Sequence, residues 1–404
     1  MKVLQICHKM PVPSLDGGSQ VMHFTTIALM NKSIHVKVLA MNPSRHHIDE
    51  STLPETYVRS TAFECVNVDT KIKPISFLIN LFEKESYLSK RFSSKEFENK
   101  LEQILSSEEF DIIQLEHLYL CKFIHVIRTF SKAKIVLRPQ NVEFVIWERY
   151  LKNINNPIKK WILGIATKRL KKFEKTATQL VDGIIPLTNE DADIFSEFNK
   201  NVPMLVVPMG YDYMRLLKYD FEKQFHVSPV VYHLGSMDWL PNEEALHWFF
   251  DNVFPILKKE SANVNFVFAG RRMPSWAYEY QSKNINIIDI VDDPLEFQED
   301  KLIMIVPLLS GSGIRAKIIE GLALGKIIIA TSIAAQGIDY TNKTNIIIAD
   351  TPEEFSRQIL LCLNSPKMCK EIGMNARLLS LKKYNNDVIS TNLILFYRNL
   401  LSSS

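Results

Sequence analysis

Short apolar runs rich in Val, Ile and Leu alternate along this chain with stretches long enough for helices. Runs that are apolar throughout, rather than on every second residue, mark strands covered on both faces, as in a parallel sheet flanked by its crossover helices. The predicted strands are Val3–Ile6, Val36–Ala40, Ile112–Leu115, Ile135–Leu137 and Gly183–Pro186, followed by Val230–Leu234, Val264–Phe268, Ile285–Ile288, Leu302–Val306, Lys326–Ala330 and Asn345–Ile348. Between the two sets, Pro208 and Gly210 punctuate the segment Val206–Tyr211. The pattern predicts an α/β protein of two doubly wound domains, 1–207 and 208–383, facing each other across a cleft. A last helix within 384–404, covering about Tyr384–Leu401, is expected to pack back toward the first domain. Ligands of open parallel sheets bind beyond the carboxyl ends of the strands, so two facing sheets define one shared site.

Two helical stretches carry mixed signals. Pro157–Gln179 holds Lys159, Lys160, Lys168, Arg169, Lys171, Lys172 and Lys175 among apolar residues, which reads first as a solvated face because the cations spread around the helix. Peripheral contact with a membrane surface is the alternative. Ile75–Phe92 reads as a helix with a core-facing side.

The length of 404 residues suits two large domains, and 46% hydrophobic with 23% charged residues excludes disorder. A net charge of +3 is too small for a sequence-independent grip on nucleic acid, so any anion site must be local. Five cysteines without paired spacing read as reduced core thiols, with Cys362 and Cys369 seven apart on one predicted helix. No run approaches the length of a spanning helix, and the apolar start is too short for a signal peptide. A cytoplasmic protein is expected, with the inner membrane face as a further location.

Glycine is scarce, 13 residues in all, so a cluster of it carries information. Gly311, Gly313, Gly321, Gly325 and Gly337 crowd after the strand Leu302–Val306. Strand, glycine turn and helix start aim backbone amides and the positive end of the helix at one point, which is how a phosphate is held. Arg315 and Lys317 add full charge there, unfavourable for the helix itself and therefore explained by an anion. Gly313, Lys317 and Glu320 share one face, so Glu320 can accept hydrogen bonds from the vicinal hydroxyls of a ribose; a buried ion pair with Lys317 or Arg315 is the plainer alternative. Gly311, Gly313 and Ala316 also fit the dinucleotide pattern G-x-G-x-x-A, but the strand that follows ends on Thr331 and Ser332 where an acid is required.

These segments resemble the retaining family 4 type of glycosyltransferase, which has the GT-B fold of two Rossmann-like domains. The likeness runs through Gly17-Gly18, Arg138–Glu143, Val207–Asp212, Leu234–Asn242, Phe268–Arg271 and Ser312–Glu320. It implies transfer of a sugar from a nucleotide-diphosphate sugar to the hydroxyl of a glycan or lipid-linked saccharide, with retention, without a metal and without a cofactor. By resemblance, Arg315, Lys317 and the amides of Gly313 and Ile314 hold the diphosphate. Glu320 holds the ribose, and Gly17, Gly18, Gly235 and Arg271 border the donor. Ser312 stands where the family usually has a first glutamate, which leaves the donor's identity open. Glu116, His117, Asn141 and Glu143 lie past strand ends on the acceptor side, and His117 is a candidate to help deprotonate a hydroxyl. Asp191-Ala-Asp193 matches a metal motif but follows Thr188 as a helix cap would. A silent nucleotide-sugar binder and a nucleotide-sugar epimerase using Asp238 and His117 are the competing readings.

Overall fold

The computed structural model describes residues 1–404 except 15, 45–46, 72–85, 153, 155, 212, 218, 227–228, 261–263, 312 and 404. The chain divides into two compact units, Met1–Met209 with Ile389–Ser404, and Gly210–Val388.

The first unit is a six-stranded sheet in the order β3-β2-β1-β4-β5-β6, from β1 (Lys2–Cys7), β2 (His35–Pro43), β3 (Glu64–Val68), β4 (Ile112–Leu115), β5 (Lys134–Leu137) and β6 (Gly183–Ile184). All neighbours are parallel, with Gln5 opposite Gln114 and Ile6 opposite Leu115. The chain order reverses between β1 and β4, so the loops after these two strands diverge and leave a crevice at their carboxyl ends.

The second unit repeats the plan in the order β12-β11-β10-β7-β8-β9, from β7 (Val230–Leu234), β8 (Asn265–Ala269), β9 (Ile285–Ile288), β10 (Ile303–Val306), β11 (Ile327–Ala330) and β12 (Ile347–Ile348). All of its neighbours are parallel as well. Its reversal lies between β7 and β10, which places Gly235 and the glycine turn side by side.

Both sheets are buried between helices. In the first, one cluster joins Ile6, Leu115 and Leu137 to Leu101 and Leu170, and another joins Val3, Val38 and Val136 to Leu393 and Tyr397. The C-terminal helix Asn386–Ser402 therefore covers one face of the first sheet. In the second, Ile303, Ile305, Ile327 and Ile329 pack against Phe249, Phe355 and Ile359.

Every predicted strand appears, within about three residues at its ends. β3 was missed because Glu64-Cys-Val-Asn-Val68 sits at the sheet edge, half-exposed, and shows no continuous apolar run. Cys362 and Cys369 do not share a helix. Pro366 starts a new helix, Pro366–Lys383, after Pro352–Asn364 ends, because its ring cannot continue the preceding turn. The Cys369 thiol then meets the Cys362 carbonyl at 3.2 Å. Of the predicted stretch 75–92, residues 75–85 lie outside the described residues and Tyr87–Lys90 form a single helical turn.

Candidate functional site

The glycine turn of the second unit is built from backbone geometry that other residues resist. Gly311 and Gly313 take φ of 117° and 75°, in the region where a side chain strains the backbone. The chain then enters the helix Ala316–Leu324 with Arg315 at the N-cap position, where its side chain makes no capping hydrogen bond. Gly325 ends the helix in the left-handed conformation.

Arg315 is 5% exposed; its guanidinium donates to the Gly313 carbonyl at 2.6 Å and lies 5.4 Å from the Trp239 ring centre. Lys317 reaches across to the loop after β7, where its ammonium donates to Asn242 Oδ1 at 3.0 Å. Asn242 is held by donating in turn to the Ser236 carbonyl at 2.7 Å. Burial, with the Arg315 charge beside it, pulls the Lys317 pKa down to about 7. Two cations are thus crowded where the helix dipole opposes both.

Gly235 is the floor of this corner: a Cβ there would stand 2.5 Å from Lys317 Nζ. Behind it His233 is fully buried, with Nδ1 3.1 Å from the Ile305 carbonyl oxygen, and burial and Lys317 hold its pKa well below the usual range. Arg271 follows β8, where its carbonyl accepts from the Met237 amide at 2.9 Å. One turn into the helix, Glu320 is buried; burial raises its pKa against the pull of Arg215 and a hydrogen bond from Gln298. Ile314 is half-buried beside Gly313, and Ser312 lies outside the described residues.

In the first unit, Gly17 and Gly18 open the helix Gly17–Met30, capped by Asp16 with Ser19 in a reciprocal capping box. Asp16 also accepts from Lys9 at 2.6 Å. A Cβ on Gly18 would meet Gln140 Oε1 at 2.5 Å, so glycine lets the loop after β5 close over the helix start.

The structure separates the acceptor-side candidates. His117 and Glu143 are brought together, with Nε2 3.3 Å from Oε1, and the Tyr119 hydroxyl donates to the other oxygen of Glu143 at 3.0 Å. The His8 ring packs against His117 with centroids 4.1 Å apart and the planes tilted by 41°. Although burial alone would raise Glu143, His117 and Tyr119 hold it below the usual carboxylate range. Glu174, fully buried, accepts from the amides of Glu143 and Phe144 at 3.1 and 3.2 Å, and burial next to Glu143 pushes its pKa up to about 8. Asn141 is half-buried between Gln140 and Val142. Glu116 is turned inward instead, fully buried and accepting from Gln5 at 2.6 Å and Gln114 at 2.5 Å. Its neighbour Arg138 is fully buried as well.

Thr188 caps the helix Asn189–Phe198 by accepting from the Asp191 amide at 3.0 Å, and Asp191 is 6% exposed. Among the described residues, no helix is long and apolar enough to cross a membrane. Sequence reasoning missed Asn242, Trp239, Arg215 and Gln298 in the second unit and Lys9, Tyr119 and Glu174 in the first. Asn242 and Trp239 fell inside a segment already singled out; the others gave no local signal.

Residues 228–365 match the family model of glycosyl transferases group 1. An uncharacterized 44.6 kDa protein in the cps region of Klebsiella pneumoniae is 23% identical over 288 residues, covering 69% of this chain and 72% of that protein. Among solved structures, sucrose-phosphate synthase from Thermosynechococcus elongatus is similar with a TM-score of 0.73 at 12% identity, over 100% of both chains. A TarM variant of S. aureus, in complex with fondaparinux, alpha-GlcNAc-glycerol and UDP, gives 0.68 at 12% identity over 98% of this chain and 99% of that one. Anabaena HepE in complex with UDP-glucose gives 0.62 at 11% identity over 100% of both. The fold is GT-B, and the match to the glycosyl transferases group 1 model lies within its second unit.

Proposed function

We propose that this protein is a glycosyltransferase that moves a sugar from a nucleoside-diphosphate sugar to a hydroxyl of a saccharide or lipid-linked acceptor, with retention and without a metal. The observation that carries this reading is the pair Arg315 and Lys317 at the uncapped start of the helix Ala316–Leu324. Among the described residues no carboxylate lies within ion-pair distance of Lys317, and burial beside the Arg315 charge lowers its pKa to about 7. A diphosphate supplies the missing charge. Glu320, buried one turn further on, takes the ribose hydroxyls, and Gly235 leaves room for the ammonium to swing to the phosphates.

During transfer the bond from the sugar's anomeric carbon to the phosphate oxygen breaks and a bond to the acceptor oxygen forms. Charge builds on the leaving diphosphate, where the guanidinium, the ammonium and the helix amides are already placed, so stabilisation grows toward the transition state. The leaving phosphate oxygen takes the acceptor's proton. The two cations provide the charge that a divalent ion otherwise supplies. We place the acceptor at the His117–Glu143 end of the first unit.

Mass spectrometry of nucleotide sugars retained through purification identifies the donor, and transfer to saccharide acceptors is then assayed. Arg315→Ala and Glu320→Ala are expected to lower turnover by about 10²–10³ while circular dichroism stays native. Full turnover in both variants overturns the assignment.

A further inference from the structure

The longest run of one charge sign in the chain is unused by the proposed reaction. Residues 149–173 contain Arg149, Lys152, Lys159, Lys160, Lys168, Arg169, Lys171 and Lys172 and no acidic residue. This one segment carries +8 against a net +3 for the whole chain, which leaves −5 elsewhere. It spans the end of the helix Glu143–Lys152 and most of the helix Pro157–Ala177, which pack on each other in the first unit.

The structure orders what the sequence left scattered. The long helix buries Ala166, Thr167, Leu170, Glu174 and Ala177 against the unit. At 100° per residue, Trp161, Lys168, Lys172 and Lys175 fall within about 60° of one another on the opposite side. The first turn projects further still: residues 157–161 are all exposed, with Ile158 at 70% and Trp161 at 65%. An aromatic and a β-branched residue left in water beside Lys159 and Lys160 are unexplained by solvation of a charged face.

We propose that this face is a docking surface for an anionic lipid bilayer, with Ile158 and Trp161 entering the headgroup region and the lysines on the phosphates around them. Lysine attracts any polyanion, but the apolar pair discriminates: a nucleic acid or an acidic protein segment offers no hydrocarbon for Ile158 and Trp161 to enter, whereas a membrane interface does. The surface is independent of the donor corner, which belongs to the other unit.

Flotation of the full chain with vesicles tests this directly. Vesicles of 70% phosphatidylcholine and 30% phosphatidylglycerol are expected to carry the protein, pure phosphatidylcholine vesicles at least tenfold less, and 0.5 M salt is expected to release most of it. Ile158→Ser with Trp161→Ser, and separately Lys168→Glu with Lys172→Glu, are each expected to weaken binding at least tenfold with unchanged melting temperature. No binding to the anionic vesicles, binding untouched by either double variant, or an equal affinity for an oligonucleotide that ignores the Ser pair would overturn the proposal. A third double variant, Lys258→Glu with Lys259→Glu on the second unit, is expected to bind as the wild type does; a comparable loss there would reduce the effect to bulk charge and also overturn it.

Discussion

The ammonium of Lys317 and the side-chain oxygen of Asn242 meet at 3.0 Å across the switch point of the second sheet. Burial, with the Arg315 charge beside it and only this neutral partner at hand, leaves Lys317 titrating near 7. Above pH 7 the terminal phosphate of a nucleoside diphosphate is already fully ionised, whereas Lys317 is losing its proton, so binding must take one up. Affinity for UDP or another nucleoside diphosphate is therefore expected to fall by up to tenfold per pH unit above 7. Calorimetry at pH 8 in buffers of differing ionisation enthalpy should show uptake approaching one proton, and Lys317→Arg should abolish it. A flat affinity between pH 7 and 9 contradicts the charge assignment.

The same lysine makes a prediction about stability. Its folded pKa of about 7 lies below the ordinary lysine value of 10.5, so between these limits the unfolded chain binds more protons and stability rises with pH. The penalty is present in full below pH 7 and is relieved toward pH 10. Lys317→Met is accordingly expected to raise the melting temperature at pH 6.5 while it removes nucleotide binding. A lower melting temperature at that pH would show the ammonium to be a net structural contact.

Gly235 and Gly270 are neighbours with opposite expectations. A Cβ at Gly235 would press on the mobile end of Lys317 and on Asn242 at 2.9 Å, whereas one at Gly270 would stand 1.7 Å from the Gly235 carbonyl oxygen. The first clash yields by moving a side chain, the second only by moving backbone. Gly235→Ala is expected to fold normally and lose at least tenfold in nucleotide affinity. Gly270→Ala should fail to accumulate as soluble protein. Equal soluble yields of the two variants would contradict the packing at these strand ends.

Glu174 shows the reverse linkage. Its pKa, pushed up to about 8 from an ordinary 4.5, means that the folded chain holds a proton the unfolded chain has released. Its contribution to stability is present below pH 4.5 and is lost as pH rises through 8. The unfolding free energy is thus expected to decline between pH 5 and 8, and Glu174→Gln to flatten that slope while costing one accepted amide bond. An unchanged slope in the variant assigns the proton elsewhere.

The parallel sheets were legible because burial on both faces leaves continuous apolar strands, such as Ile303–Val306 and Ile327–Ala330. Edge strand β3, wetted on one side, lacked that mark. The donor corner was half legible. Glycine and cation spacing fix Gly313, Arg315, Lys317 and Glu320 locally, but Asn242 lies 75 residues away and meets Lys317 only through the strand order. Glu174 was hidden for a related reason: in a lysine-rich helix an acid looks solvated, and only the tertiary fold turns it onto the amides of Glu143 and Phe144.

Asp191 and Asp193 have the spacing of a metal motif, and their placement predicts how they behave. Asp191 is buried in the first turn of a helix whose cap, Thr188, accepts its amide, while Asp193, two residues on, is exposed. Acidic groups there complement the helix dipole and need no ion. Thr188→Ala is expected to cost about 1 kcal/mol of stability, measured by denaturant unfolding. Asp193→Asn is expected to keep full transfer activity, and EDTA is expected to leave the rate of the wild-type protein unchanged. Loss of activity in EDTA that manganese restores, absent in Asp193→Asn, would make the pair a metal site after all.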